Sequence, residues 1–485
     1  MMRKSSLSLR KLESCFSGIV PCIIGTAAKD GTPNVTYISH VYRVDERHIA
    51  LSRQFFNKTA RNLLDNPLAC VQINDPVLFQ AYQLQVRYLR SETSGSVFDA
   101  MAARIDAIAT HTGMQGVFRL QAADICEVLS VEEIEGFIEP ERVSLPPRMS
   151  AEFERAPISE LRGLQMISDR INRASDLESL IATSLQAFDD LFGLKHSMLL
   201  HPDETGQRLV ALASRGYGTS GVGAEVKLGE GLIGTVALRR LPLSVTDIDR
   251  ELRYGRAVRG RAARESGGDS LRPEIPLPGL PDAHSQLAVP MLVEDELLGV
   301  LAFESRERMT FELWHESFLQ VIANQIAMGI DRFRADDDEP SVPLSTAPER
   351  RSQRVGASSQ PGVQPVAAEP ALDVDLRKHT FLFYRNDDCV FVDGEYLVRN
   401  VPGKILWKIL TEHAQRSRTQ FTNRELRLDP TLGLPAVKDN LESRLILLRK
   451  RLGEKCPDVR LVPTQRGRFA LELSCPVELI ERDHS

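Results

Sequence analysis

Near its C-terminal end the chain gathers cations in a regular pattern. Val437, Leu441, Leu445, Leu448 and Leu452 recur at helical spacing and form one apolar stripe. Arg444, Arg449, Lys450 and Arg451 lie off that stripe, with Asn440 and Ser443 close by. Gly467 then centres a turn between two strand-like runs, with Arg466 and Arg468 at its tip. A basic helix followed by a basic hairpin can sit on nucleic acid, one part in a groove and the other on the backbone. From Arg399 to Arg468 there are 16 Lys/Arg against 7 Asp/Glu, a local balance of +9 in a chain whose total is −6. Such a patch is aimed at phosphates; the plainer alternative is an interaction module whose basic face is only solvated.

A second set of polar side chains opens the run NKTARNLLDNP, a short helix stopped by Pro67. It carries Asn57, Lys58, Thr59 and Arg61. On spacing alone, Lys58 and Arg61 read equally as a solvated helix face. Nothing around them forms an acid, base or nucleophile cluster, so no catalytic residue is assigned. The seven cysteines (15, 22, 70, 126, 389, 456 and 475) are dispersed and lack CxxC pairs. That pattern suits a reducing compartment and argues against zinc or iron–sulfur ligation, so no metal is expected.

The elements around the basic helix are regular. TFLFYRND, CVFVD and EYLVRN read as three short strands. PGKILWKILTEHAQRS is a helix with Pro402 early, where its missing N–H costs least, and Ile405, Leu406, Ile409 and Leu410 on its core face. TNRELRL begins with Thr422 and has Glu425 three residues later, the spacing of a capping box. Three strands, three helices and a hairpin over 376–480 resemble the winged-helix output domain of bacterial two-component response regulators, most specifically in LLRKRLGEKCPDVRLVPTQRGRF. The resemblance implies DNA as partner, with Arg444 and Arg449 in the major groove beside Asn440 and Ser443, and Lys450, Arg451, Arg466 and Arg468 on phosphates. Two departures stand out. The wing TQRGRF lacks the second Gly of the usual turn, and Ile446 and Leu447 occupy positions often polar in that family.

Residues 1–140 are strand-rich. GIVPCIIGTAA, an Asp30-Gly31 turn and PNVTYISHVYRV form a hairpin; HIALS, ACVQIND, AYQLQVRYLRSE and FRLQAADICEV follow as strands, interrupted by the helix SVFDAMAARIDAIATH. Many short strands with little helix suggest a small closed barrel. DGTPNVTYISHVYRVD, NKTARNLLDNP and FRLQAADICEV resemble the pyridoxamine-phosphate-oxidase-like, FMN-binding split barrel. The resemblance implies FMN, with Lys58 on the flavin phosphate, Asn57, Thr59 and Arg61 assisting, and Thr36 and Ser39 lining the isoalloxazine. A cation beside helix N-terminal amides favours a dianionic phosphate. Relatives without flavin, or with haem, keep other outcomes open.

Residues 155–335 begin with helical stripes (Leu161, Leu164, Ile167, Ile171; then Leu177, Leu180, Ile181, Leu185) and continue through strands to a closing helix with Phe318, Val321, Ile322, Ile326 and Ile330 on one face. LGEGLIGTVALRRLPLSVTDI, QLAVPMLVEDELLGVLAFES and the Phe311…Phe318-Leu319…Ile322-Ala323…Gln325 pattern resemble GAF domains. The resemblance implies a small-molecule pocket and a homodimer through the terminal helices. This part has no cysteine, which excludes covalent bilin attachment and cysteine-ligated clusters. Its long basic insertion, 251–283, reads as a lid or as a surface loop.

At 485 residues the chain should hold about three domains. The stretch 336–375, rich in Pro, Ser, Ala and charge, reads as a flexible linker. No apolar run approaches the ~20 residues that span a bilayer, and MMRKSSLSLRKLESCF lacks an apolar signal core. The expectation is an α+β multidomain, cytoplasmic transcriptional regulator: split β-barrel, GAF domain and winged helix-turn-helix. The alternatives are a flavin-dependent oxidoreductase with regulatory domains and a non-enzymatic interaction scaffold.

Overall fold

The computed structural model describes residues 8–16, 21–54, 58–75, 80–134, 160–217, 221–249, 251–253, 256, 259, 279–308, 310–311, 313–338, 378–385, 388–434, 441–465 and 467–482. Asn57, Val437, Asn440 and Arg466, nearly all of the linker 336–375 and most of the insertion 251–283 lie outside them. Contacts divide the chain into two compact units, Met1–Asp331 and Arg332–Ser485. The first two expected domains therefore share one unit. No helix among the described residues is long and apolar enough to cross a membrane.

The barrel is built from β1 (Cys22–Ala27), β2 (Pro33–Ile38), β3 (Val41–Arg43), β4 (His48–Arg53), β5 (Leu68–Asn74), β6 (Ala81–Glu92) and β7 (Ala122–Glu133). They pair in the order β2-β1-β5-β6-β7-β4-β3, each pair antiparallel. Alternation carries the core: in β1 every second residue is buried, and Ile24 sits with Val71, Ile73 and Leu84 in one apolar cluster. Just past β2, the His40 carbonyl accepts from the Ser52 N–H of β4 at 3.0 Å. The short helix α1 (Lys58–Asp65) follows β4.

Helix α2 (Ser96–His111) is apolar on two faces. Met101, Ala102, Ile105, Ile108 and Ala109 pack with Phe118, Ala123 and Ile125 of the barrel. Ala103 and Ala107, four residues apart on the other face, join the core of the next domain. Their small side chains let α5 (Gly231–Arg239) come close. Polar ties surround the seam. Asp106 pairs with Arg239, and Thr110 Oγ1 and Gln115 Nε2 each donate to the Gly229 carbonyl at 3.2 Å. Arg104, almost fully buried, reaches Glu316 at 3.3 Å.

That second domain has α3 (Glu160–Asn172) and α4 (Leu177–Phe192), then a six-stranded sheet. Its strands are β8 (His196–Pro202), β9 (Arg208–Arg215), β10 (Glu225–Lys227), β11 (Leu243–Val245), β12 (Ser285–Val293) and β13 (Glu296–Ser305), ordered β10-β9-β8-β13-β12-β11. Neighbouring residues of β13 point to opposite faces. Ala302 packs in the α5 cluster, whereas Phe303 meets Phe188 of α4 edge-on at 4.8 Å. The long helix α6 (Leu313–Asp338) closes the α4 side, with Phe318 against Phe192 at 5.1 Å.

In the second unit β14 (His379–Tyr384), β15 (Cys389–Val392) and β16 (Glu395–Val398) join β20 (Val477–Arg482) in the order β16-β15-β14-β20. The strand β20, parallel to β14, lies beyond the expected order; its VELIER run is short and half-exposed, a weak strand signal. Then come α7 (Asn400–Arg416), β17 (Gln420–Thr422), α8 (Asn423–Leu428) and α9 (Leu441–Lys455). The hairpin of β18 (Val459–Gln465) and β19 (Arg468–Leu473) pairs with β17. The capping box forms as spaced: Glu425 N–H donates to Thr422 Oγ1 at 3.2 Å, and Thr422 N–H donates to the Glu425 carboxylate at 3.0 Å. Leu441, Leu445, Leu448 and Leu452 pack on Ile405, Leu406, Ile409 and Leu410 in one core.

If the α2–α5 seam is close-packed, Ala107→Leu should lower the unfolding free energy of the full chain by ~1–3 kcal/mol in urea titration. Leu64→Ala, at a site 70% exposed, should change it by no more than ~0.5 kcal/mol. Equal effects would sink the seam assignment.

Candidate functional site

The start of α1 is held rigidly from beneath. Asn34 Nδ2 donates to Thr59 Oγ1 at 3.0 Å and to Thr26 Oγ1 at 3.3 Å, and Asn62 Nδ2 donates to Thr26 Oγ1 at 3.1 Å. Thr26, Thr59 and Asn62 are all buried. Thr59 therefore serves as a tie between helix and sheet, because its hydroxyl faces β2 rather than solvent. Lys58 and Arg61 are exposed on the same helix, and Thr36 is half-buried on β2. The Asp30 carboxyl lies below the usual carboxylate range, chiefly through the Thr32 backbone N–H and also through the charge of Lys58.

A buried polar group lies between the end of β4 and the chain after β2. Ser39 Oγ donates to Gln54 Oε1 at 2.5 Å, and the His40 N–H donates to Ser52 Oγ at 3.0 Å. Gln54 is 3% exposed, and its Nε2 has no acceptor among the described residues. A buried amide without an acceptor costs free energy, so this donor is suited to a ligand that accepts. Gln54 did not emerge from the sequence; its one signal was a polar residue just before the Asn57–Arg61 segment. An exposed cation at a helix start suits a phosphate, and a buried donor without an acceptor among the described residues suits the acceptor-rich edge of a flavin ring. The residues fit the group.

In the second domain the Glu304 carboxylate is buried on β13. It accepts from the Leu280 N–H at 2.8 Å and from Gln286 Nε2 at 2.6 Å, and Tyr217 lies beside it. Burial pushes its pKa up, partly offset by these donors. Glu304 thereby pins the end of the 251–283 insertion to the sheet.

In the C-terminal domain the expected nucleic-acid set divides. The buried surface of α9 extends past the leucine stripe to Ser443 and Arg444, which are 4% and 7% exposed. They are not presented to a groove here. Arg449 pairs with Glu442 at 3.2 Å, and Arg451 donates to the Leu397 carbonyl at 3.1 Å and pairs with Glu454. Lys450 is half-buried, and Arg468 is exposed on the hairpin.

Against this geometry, comparison with known proteins is specific for two domains. The model of the family described as Pyridoxamine 5'-phosphate oxidase matches residues 9–125, and the GAF domain model matches residues 176–330. The chain carries one domain of each kind. Among solved structures, the GAF domain of a phosphoenolpyruvate-protein phosphotransferase from Coxiella burnetii is 25% identical, over 36% of this chain and 95% of that one, with a TM-score of 0.30. An FMN-binding protein from Syntrophomonas wolfei is 16% identical over 26% of this chain and 87% of its own, with a TM-score of 0.22. HupZ from Group A Streptococcus is 14% identical over 26% and 94%, with a TM-score of 0.21. No curated protein matches the chain.

Two outcomes follow from the site. Lys58→Ala should weaken the binding of added FMN, read by flavin fluorescence titration, while Thr59→Val should lower stability by ~1–3 kcal/mol through its stranded Asn34 donor. For Glu304, a raised pKa means that the folded chain holds the proton more tightly than the unfolded chain. Stability then declines as pH rises through the ordinary carboxylate range to the raised value. As pH rises from the ordinary carboxylate range, the urea midpoint of the unsubstituted protein should therefore fall relative to that of Glu304→Gln. A gap independent of pH would overturn that reading.

Proposed function

We propose that this chain is a DNA-binding regulator of the cytoplasm that responds to small molecules, with FMN in the split barrel and a second ligand in the GAF domain. The observation that carries the output half is the hairpin following directly on α9, with Arg468 exposed beside its turn and a surplus of +9 charges from Arg399 to Arg468. Arg468 and Lys450 suit phosphates; Arg449 can read a base only by exchanging Glu442 for it. For the input half, α2 belongs to the cores of both sensing domains, so a ligand that shifts one domain is felt by the other. Exposed Leu161 on α3 and Val321 and Met328 on α6, beside a groove of 470 Å³ lined by Leu161, Leu164 and Gln325, support a homodimer through these helices.

One observation favours a second reading. The unpartnered amide of Gln54 suits a flavin ring, and a bound flavin supplies hydride and electron transfer. A flavin-dependent oxidoreductase would consume NAD(P)H in the absence of DNA, whereas a regulator would not turn over.

A mobility-shift titration on the chain's own upstream DNA across a salt series separates them. Affinity should fall steeply as salt rises, since neutralised phosphates release counterions. Arg468→Ala should weaken cognate and unrelated DNA alike, and Arg449→Ala should weaken cognate DNA more. No shift, or one indifferent to salt, would remove the regulator reading.

A further inference from the structure

At the base of the β18–β19 hairpin, away from its tip at Gly467, several segments converge on one imidazole. His379 opens β14, Asp458 precedes β18, and Cys475 precedes β20. One ligating atom from each lies within 4.8 Å of the others. Backbone hydrogen bonds hold the three in place: the Ser474 N–H donates to the Asp458 carbonyl at 2.9 Å, and the His379 N–H donates to the Pro476 carbonyl at 3.1 Å. The register sets His379 opposite Val477, two residues beyond the cysteine.

We infer that His379, Asp458 and Cys475 form a binding site for a divalent ion of the zinc class, with Asp393 orienting the histidine. The donor set is nitrogen, oxygen and sulfur, the mixture that zinc takes in tetrahedral sites, with the fourth position left to water. Ligand atoms around such an ion stand ~3–4 Å apart, given metal–ligand bonds of ~2.0–2.3 Å, so only small side-chain rotations are needed. His379 Nε2 faces Asp458 at 3.0 Å, and Nδ1 faces Asp393 Oδ2 at 2.5 Å. That second contact is the arrangement by which a carboxylate fixes the tautomer of a ligating histidine. Asp393 is itself fixed, since its Oδ1 accepts from the Thr380 N–H at 2.9 Å. On binding, Nε2 gives up its proton and coordinates through the freed lone pair, Nδ1–H stays on Asp393, and the Cys475 thiol leaves its proton to solvent. No redox step is involved.

Dispersed cysteines had argued against a metal. The site escapes that reading because it uses one cysteine and draws its other ligands from distant parts of the chain, 79 residues separating His379 from Asp458. In the metal-free state His379 bridges two carboxylates, a satisfied ion pair that needs no ion. The two readings differ in what binds.

The test uses the full chain, reduced and freed of metal with a chelator, then titrated with Zn²⁺ alone and with Co²⁺ alone. The expected result is a zinc-dependent rise in Tm and a cobalt spectrum with tetrahedral visible bands plus a thiolate-to-cobalt charge-transfer band. Cys475→Ser should remove the charge-transfer band while the protein stays folded. His379→Gln should weaken zinc at least tenfold, and Asp393→Asn should weaken it about 10–100-fold without changing the ligand set. Zinc affinity unchanged in both Cys475→Ser and His379→Gln, or a cobalt spectrum without the thiolate band, overturns the proposal. Should His379→Gln fail to fold, Cys475→Ser decides alone.

Discussion

A helix buried on both faces constrains the first unit more than any other element. Helix α2 completes the barrel with Met101, Ile105 and Ile108 and completes the GAF core with Ala103 and Ala107. A helix on the outside of a small barrel normally keeps one face in water. Here water is excluded from both, so the polar groups along the seam must find partners across it. Thr110 with Gly229 and Arg104 with Glu316 meet that requirement, and Asp106 pairs with Arg239 at the wetter edge of the seam. Breaking the buried Arg104–Glu316 tie strands a group at a cost far above the worth of a surface ion pair, whereas Asp106–Arg239 is a partly exposed pair worth little more than one. The barrel and the GAF domain therefore fold against a common element.

The same rule, that a buried polar group needs a partner, sorts the candidate site. Thr59 and Ser39 looked like ligand contacts on the page of sequence, and both prove to be occupied by Asn34 and Gln54. Gln54 Nε2 is a buried donor left without an acceptor among the described residues. Lys58 needs no such partner because it is exposed, where its charge is free to meet an anion.

In the C-terminal domain, charge and packing make separate demands on α9. Its leucines at every third or fourth position must face the core, and they do. Cations off that stripe were free, as far as spacing shows, to face a phosphate. Packing left them unequal: Arg444 is covered and Arg449 and Arg451 are paired, while Arg468 on the hairpin is open. A helical wheel reports which residues share a face, but not how wide a face the neighbouring elements will cover.

The amino-acid sequence by itself determined the elements that depend on local physics. The strand β1, the Asp30-Gly31 turn, the Thr422–Glu425 cap and the leucine stripe of α9 each need only residues a few positions apart, and each stands where the sequence placed it. The two family motifs were legible for the same reason, being short runs of consecutive residues. Tertiary structure decided whatever depends on distant segments meeting. The double burial of α2, the stranded amide of Gln54, the pinning of the insertion by Glu304 and the gathering of His379, Asp458 and Cys475 all arise between residues far apart in the chain. Side-chain type states what a residue can donate, accept or ligate. Only packing fixes which partners remain within 3 Å and which are left to a ligand.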